Sequence, residues 1–396
     1  MKMAYYPGCS QEGSAIEYGL STERTAELMG VELVEIEDWN CCGATSGHNT
    51  NKLLSLALPA RNLAIAEKTG LDILVPCAAC YNRFRTTEIT VREDGEMREK
   101  IQQAIDMEYE AKNETISVLD LLANKLGPEK IKEKVKQPLK AMKAACYYGC
   151  LLVRPVHHTG FDDPEDPQTM DTILKALGAE TVDWSHKTEC CGAALATSRP
   201  EIGKRMTYEI LKNARDAGAE CIVTACPLCM MNLDMRQAGV EKEFREKFGL
   251  PIYFVTELVA AACGDAPEKV GTNRHFVEAV EYLKSLPAKA AQMEAEEQEK
   301  KKKKISKSEP ANEEEAAALK KKIDAMAKGF AKNPEKTAAR IIKDEEKAKL
   351  LAEIVTGDEK KISKLAELMI TDQEKAIKTA EALINGELKK RQKQQA

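Results

Sequence analysis

Two adjacent cysteines followed by a glycine, Cys41-Cys42-Gly43 in "WNCCGATSG", return as Cys190-Cys191-Gly192 in "TECCGAALA". After each pair the chain runs through 34 residues to a C-x-x-C, Cys77/Cys80 in the first case and Cys226/Cys229 in the second. The surrounding sequence repeats too. "YYPGC" at 5–9 answers "YYGC" at 147–150, and "MGVELVEIEDWNCCG" at 29–43 answers "LGAETVDWSHKTECCG" at 177–192. "TGLDILVPCAAC" at 69–80 answers "AGAECIVTACPLC" at 217–229, and "TISVLDLLANKLG" at 115–127 answers "PIYFVTELVAAACG" at 251–264. Four matches in the same order mark an internal duplication, so whatever one half folds into, the other is expected to repeat.

Each half alternates strand-like and helix-like segments. In the first, "MKMAYYP", "VELVEI", "DILVP" and "TISVL" are short apolar or β-branched runs with helical patterns between them, such as "AIEYGLSTERTAELMG". The second repeats this with "KAACYY", "AETVDW", "CIVTA" and "IYFVT". Alternating βα units predict an α/β fold: two duplicated, Rossmann-like halves, each a parallel sheet covered by helices. The cysteine motifs fall at the C-terminal ends of the strands, the edge along which open parallel sheets bind ligands. Helix N-termini there would favour thiolates and an anionic cluster. Three dispersed motifs are thus expected to converge on one site per half.

The expected boundaries are 1–127 for the first half, 128–143 for a linker and 144–290 for the second half. A charged linker at 291–312 and an all-α charged C-terminal extension at 313–396 follow. Residues 86–112 have no counterpart of similar length and read as a charged helical insertion. In the extension a pattern recurs every 14 residues, in "DEEKAKLLAEIVTG", "DEKKISKLAELMIT" and "DQEKAIKTAEALING". Asp344, Asp358 and Asp372 sit where N-caps belong. "NPEKTAARII" at 333–342 reads as a degenerate first copy. Gly357 and Gly386 at repeat ends predict breaks, hence a small helical bundle or protein-docking appendage rather than one long helix.

Net charge is −5, and no basic stripe is interleaved with aromatics, which argues against a nucleic-acid partner. No apolar run approaches the ~20 residues of a membrane span. The start, "MKMAYYPGCS", lacks the features of a signal peptide, and the expected location is cytoplasmic. Thirteen cysteines in a reducing compartment point to metal binding or catalysis rather than disulfides.

Burial alone does not reproduce C…CC…C-x-x-C twice, although Cys221 and Cys263 read as ordinary buried thiols. A bond between adjacent cysteines strains the backbone between them. Tetrahedral zinc takes four thiolates, and each half offers five. Adjacent side chains point in different directions, so a vicinal pair suits a polynuclear iron–sulfur cluster, whose irons can each take one of them.

The patterns C-x31-CCG-x33-C-x-x-C and C-x39-CCG-x33-C-x-x-C, with "YYPGC", "CYYGCLLVRP" and "CCGAALA…TACPLC", resemble the B subunit of heterodisulfide reductase, a CCG-domain family. The resemblance spans roughly residues 1–290 and does not extend to the tail. It implies two CCG domains, each holding a non-cubane [4Fe-4S] cluster through five cysteines. Carried over by motif, Cys9, Cys41, Cys42, Cys77 and Cys80 would hold one cluster, and Cys150, Cys190, Cys191, Cys226 and Cys229 the other. The two clusters would face each other and split a disulfide, such as that of coenzyme M and coenzyme B. Zinc in one half is the alternative cofactor. Cys146 reads as a buried or supporting thiol.

No catalytic nucleophile stands apart from the cysteines. His157 and His158 are candidate proton or hydrogen-bond donors, or else a polar turn. Arg154 is a candidate anchor for an anionic group, or else a structural ion pair. The sequence contains no C-x2-C-x2-C-x3-C run and no G-x-G-x-x-G, so electrons are expected from partners. The resemblance implies a ferredoxin-like C subunit and a flavin-containing A subunit. An electron-transfer or docking subunit of a thiol:fumarate, lactate or glycolate complex is the competing reading.

Overall fold

A computed structural model of the chain describes residues 1–306 and 313–395. It divides into two units, Met1–Met293 and Glu294–Ala396. The first unit contains two four-stranded sheets, parallel throughout, as the alternating pattern predicts. Strands β1 (Lys2–Tyr5), β2 (Glu32–Glu35), β3 (Ile73–Leu74) and β4 (Thr115–Ile116) lie in the order β2-β1-β3-β4. Strands β5 (Lys143–Tyr147), β6 (Glu180–Thr181), β7 (Cys221–Thr224) and β8 (Ile252–Phe254) repeat it as β6-β5-β7-β8. The registers agree in kind: Ala4 pairs with Ile73 and Ala144 with Cys221. In this order the first three strands of each half are neighbours. The connection direction reverses between β1 and β3, and between β5 and β7, which opens a crevice at the strand ends.

Local chemistry explains where the strands stop. "TISVL" contributes only Thr115 and Ile116, because the Ser117 hydroxyl accepts from the Asp120 amide and starts a helical turn. "IYFVT" stops at Phe254, whose amide donates to Glu257 Oε2 at 2.8 Å and opens helix Val255–Ala262. The stretch expected as an insertion begins inside helix Ala78–Glu93, the helix that carries Cys80, and continues as Gly95–Ile105 with Asp94 as its cap. Residues 128–143 contain helix Pro128–Lys134, which buries Ile131. Beyond it the Lys136 and Gln137 amides donate to Ala262 O at 2.8 and 2.9 Å.

The halves of the first unit meet along helices Ile16–Met29 and Val255–Ala262. Ser21 Oγ and Thr256 Oγ1 are 2.7 Å apart, and Thr25 Oγ1 donates to Thr256 O at 3.0 Å. Tyr18 is fully buried and stacks on Phe254 with ring centroids 4.0 Å apart. Its hydroxyl is shared between Pro76 O at 3.0 Å and Ala225 O at 3.2 Å. Those carbonyls immediately precede Cys77 and Cys226, so one phenol ties together the two C-x-x-C turns.

The segment after helix Val255–Ala262 is locked by a buried ion pair, His275 Nε2 to Glu257 Oε1 at 3.0 Å. Glu257 Oε1 also accepts from Thr272 Oγ1 at 2.9 Å. Burial opposes the imidazolium, but Glu257, then Asp234 and Glu17, outweigh it and raise His275 to about 9.

In the second unit, helices Glu313–Lys332, Glu345–Val355, Glu359–Thr371 and Gln373–Gln395 enclose a core that includes Phe330, Ile341, Leu351, Val355, Leu365 and Ile384. Asp344, Asp358 and Asp372 accept from the Lys347, Lys361 and Lys375 amides at 3.0, 3.1 and 3.1 Å, as the repeat predicts. Gly386 does not break the chain: helix Gln373–Gln395 runs through it. An interior glycine costs only about 1 kcal/mol, and the following "ELKKRQ" favours helix. The expected linker at 291–312 is helical up to Ser306, within Val280–Ser306, and its residues 307–312 lie outside those described.

Two outcomes are expected. Tyr18→Phe leaves two buried carbonyls without their donor and lowers unfolding stability by about 1–3 kcal/mol, measurable by denaturant titration. The His275–Glu257 contribution is full below the ordinary histidine pKa and is lost as pH rises through about 9. The unfolding midpoint should fall across that window in the native chain, and His275→Leu should remove that part of the slope.

Candidate functional site

Each half brings five thiols to the C-terminal edge of its sheet. Cys9 lies in the short helix Gly8–Glu12 after β1, Cys41 and Cys42 in the loop after β2, and Cys77 caps the helix after β3 with Cys80 in its first turn. In the second half Cys150 follows β5, Cys190 and Cys191 follow β6, and Cys226 caps helix Pro227–Met230, which holds Cys229. The same pair closes in both halves. Cys42 Sγ is 3.1 Å from Cys80 Sγ, and Cys191 Sγ is 3.7 Å from Cys229 Sγ. Cys9 Sγ is 3.9 Å from Cys41 Sγ. Cys9 and Cys41 are exposed, Cys150 and Cys190 half-buried, and the other six buried.

The glycine of each CCG is required by geometry. Gly43 has φ +71° and Gly192 φ +88°, a region side chains rarely enter. A Cβ at Gly43 would also stand 2.6 Å from Leu58 Cδ1. This turn directs amides at sulfur: Gly43 N to Cys41 Sγ at 3.5 Å, Gly192 N to Cys190 Sγ at 3.3 Å, and Ala193 N to Cys191 Sγ at 3.4 Å. Hydrogen bonding from Cys41 and Cys80 outweighs burial and holds Cys42 well below the usual thiol range. Bonding from Cys229, with the Ala193 amide and Asn232, does the same for Cys191, and Cys150 brings Cys190 down to about 6. The opposite partners, Cys80 and Cys229, are pushed up. Bonded thiols in each set are thus shifted in opposite directions, and a bound metal would displace the protons that remain.

Two further residues belong to the site, and the sequence reading missed them. Tyr6 and Tyr147 each lie three residues before the first cysteine of their set. Their hydroxyls donate to Asn40 O at 3.0 Å and Glu189 O at 2.6 Å, the carbonyls just before the two CC pairs. Burial raises both phenols, and surrounding thiols of their own set raise them further. The repeat contains this signal, since "YYPGC" and "YYGC" keep the tyrosine as well as the cysteine.

Cys146 stands apart. It lies within β5, fully buried, where burial and then the charge of Asp171 push its thiol well up. Cys221 and Cys263 are buried too.

A cleft of about 440 Å³ opens between the halves. It is bordered by Ala44 and His48 after the first CCG, Ala193 and Leu195 after the second, Cys150, and Arg83. Arg154, His157 and His158 do not border it. Arg154 pairs with Glu165 at 3.2 Å and donates to Thr188 Oγ1, His157 meets Glu93 at 3.2 Å, and His158 Nδ1 lies 3.0 Å from Thr86 Oγ1. The turn after Cys150 carries them past helix Ala78–Glu93, where Asn82 Nδ2 donates to Arg154 O at 2.8 Å and Arg85 Nε to His158 O at 2.9 Å. Arg83 occupies the place expected of Arg154, one helical turn beyond Cys80 on the same face.

The profile of CCG, described as a cysteine-rich domain, matches residues 3–85 and 144–234, the two stretches that carry the thiol sets. The 8-methylmenaquinol:fumarate reductase membrane anchor subunit of Wolinella succinogenes is 34% identical over 281 residues, 70% of this chain and 98% of that protein. The chain belongs to the CCG cysteine-rich domain family. A second relative in this family, the B subunit of the ferredoxin/F(420)H(2)-dependent CoB-CoM heterodisulfide reductase of Methanosarcina acetivorans, is 29% identical over 291 residues, 72% of this chain and 97% of its own length. A hypothetical protein from Helicobacter pylori shares the fold, with a TM-score of 0.55 at 15% identity. The match covers 70% of this chain and 52% of that one. Among the described residues no helix is long and apolar enough to cross a membrane.

In the metal-free protein the exposed thiols should separate from the buried ones. Brief alkylation followed by peptide mapping is expected to label Cys9, Cys41, Cys150 and Cys190 first and to leave Cys146, Cys221 and Cys263 unlabelled until the chain is unfolded.

Proposed function

We propose that the chain is the iron–sulfur subunit of a multi-subunit reductase and that a disulfide is reduced in its cleft. Cys9, Cys41, Cys42, Cys77 and Cys80 would hold one non-cubane [4Fe-4S] cluster. Cys150, Cys190, Cys191, Cys226 and Cys229 would hold the other. The observation that carries this reading is that the CCG loops of both sets border one cleft.

The donor set suits such clusters. Five thiols per set exceed the four of tetrahedral zinc. A row of thiols running from Cys9 through Cys41 and Cys42 to Cys80 suits several irons, each taking its own ligand. Equal sets in both halves leave no reason for zinc in one of them.

Clusters of this kind supply electrons singly, and a disulfide takes two to become two thiolates. The chain's own residues do the rest. The Gly43, Gly192 and Ala193 amides favour negative charge on sulfur, while Tyr6 and Tyr147 fix the loops that carry the vicinal cysteines. The cleft admits the disulfide between the two sets. Electrons come from partners, a ferredoxin-like C subunit and a flavin-containing A subunit, and the disulfide of coenzyme M and coenzyme B is the first substrate to test.

The 34% identity with the fumarate reductase subunit favours a second reading, in which the clusters only pass electrons onward within another complex. Anaerobically purified protein with reduced viologen as donor separates the two. The disulfide reductase is expected to oxidise the dye in step with added disulfide, to lose that activity in Cys42→Ala and Cys191→Ala, and to keep it in Cys221→Ala. Dye that reduces the protein but is never discharged by disulfide would leave the relay reading.

A further inference from the structure

The duplication makes the two sides of the cleft alike, and one charge breaks the likeness. Arg83 lies three residues after Cys80, and Asn232 holds the matching position three residues after Cys229. Asn232 is fully buried and engaged within its own half: its Nδ2 donates to Cys191 O at 3.1 Å, to Ala193 O at 3.2 Å and toward Cys191 Sγ at 3.4 Å. Arg83 is half-buried and borders the cleft. Among the described residues its guanidinium meets Asn82 Oδ1 at 3.1 Å and has no carboxylate partner. This contrasts with its neighbours on the same helix, since Arg85 and Arg92 both pair with buried Glu88.

Apart from the Cys150 thiol, the rest of the lining contains no acidic side chain. Thr45, Asn49 and Ser198 are neutral, Leu151, Leu195 and Leu228 are apolar, and His48 is exposed. A guanidinium in such a wall, with no carboxylate partner, can give two donors at once to a carboxylate, sulfonate or phosphate.

We propose that Arg83 anchors an anionic group of the disulfide on the side of the first thiol set. Asn232 offers no such contact on the other side. This rests on the cleft being the disulfide site and adds the substrate's charge and the residue that meets it.

The test is calorimetric binding to the anaerobically purified full chain, with two symmetrical probes of similar size: 3,3′-dithiodipropionate, a dianion, and 2-hydroxyethyl disulfide, which is neutral. The dianion is expected to bind about tenfold more tightly, as a charge-assisted bidentate contact requires. Arg83→Gln should abolish that preference by weakening the dianion alone, and Arg83→Lys should restore it in part. Equal binding of the two probes, or a preference that survives Arg83→Gln, overturns the proposal. Iron and sulfide content of the variants shows whether the sites themselves are intact. Turnover of the same probes is a separate readout: an anion preference without reduction removes the reductase reading and leaves the anchor standing. Reduction without any charge preference does the reverse.

Discussion

One buried phenol holds the two halves of the first unit in register. The Tyr18 hydroxyl lies between Pro76 O and Ala225 O, each one residue before a C-x-x-C. Its ring stacks on Phe254, and the helix that carries it packs on helix Val255–Ala262. A duplicated fold can bind two centres without relating them to each other. A hydrogen bond shared between equivalent backbone positions relates them directly, because any shift of one C-x-x-C turn against the other costs buried donors and acceptors. Burial raises the Tyr18 phenol well above its ordinary range, with Cys77 and Cys226 adding to the shift. Thiols of both sets therefore lie within electrostatic reach of one side chain.

From this constraint the rest of the site follows in steps. The strand orders β2-β1-β3-β4 and β6-β5-β7-β8 put three motif-bearing strand ends side by side in each half. Glycine at positive φ turns each CC pair so that amides face sulfur, and a tyrosine three residues before the first cysteine pins the loop from the other side. The thiols are then held together at little cost in reorganisation, which is the condition under which a metal centre assembles without refolding its ligands.

Much of this was legible before any coordinates. Eight short apolar runs marked the strands, and the spacing of ten cysteines marked the two sets that the structure brings together. What was not legible has physical causes. Ser117 and Glu257 end strands by capping the next helix, so "TISVL" and "IYFVT" looked longer than they are. Arg154, His157 and His158 follow Cys150 closely in sequence, but chain proximity carries no direction, and their turn points them at Glu165, Glu93 and Thr86. Arg83 was overlooked for the converse reason. Only the face of the helix that carries Cys80 shows that it borders the cleft. Tyr6 and Tyr147 are readable from the repeat itself, which keeps a tyrosine three residues before the first cysteine in both halves.

On the proposed function, the ten thiols hold two iron–sulfur clusters on one cleft. Iron, acid-labile sulfide and zinc per chain, measured on protein purified without oxygen, test it most directly. Two four-iron clusters give about eight irons with matching sulfide and no zinc. About four irons with one zinc, or zinc alone in protein that has not lost its clusters, would contradict it.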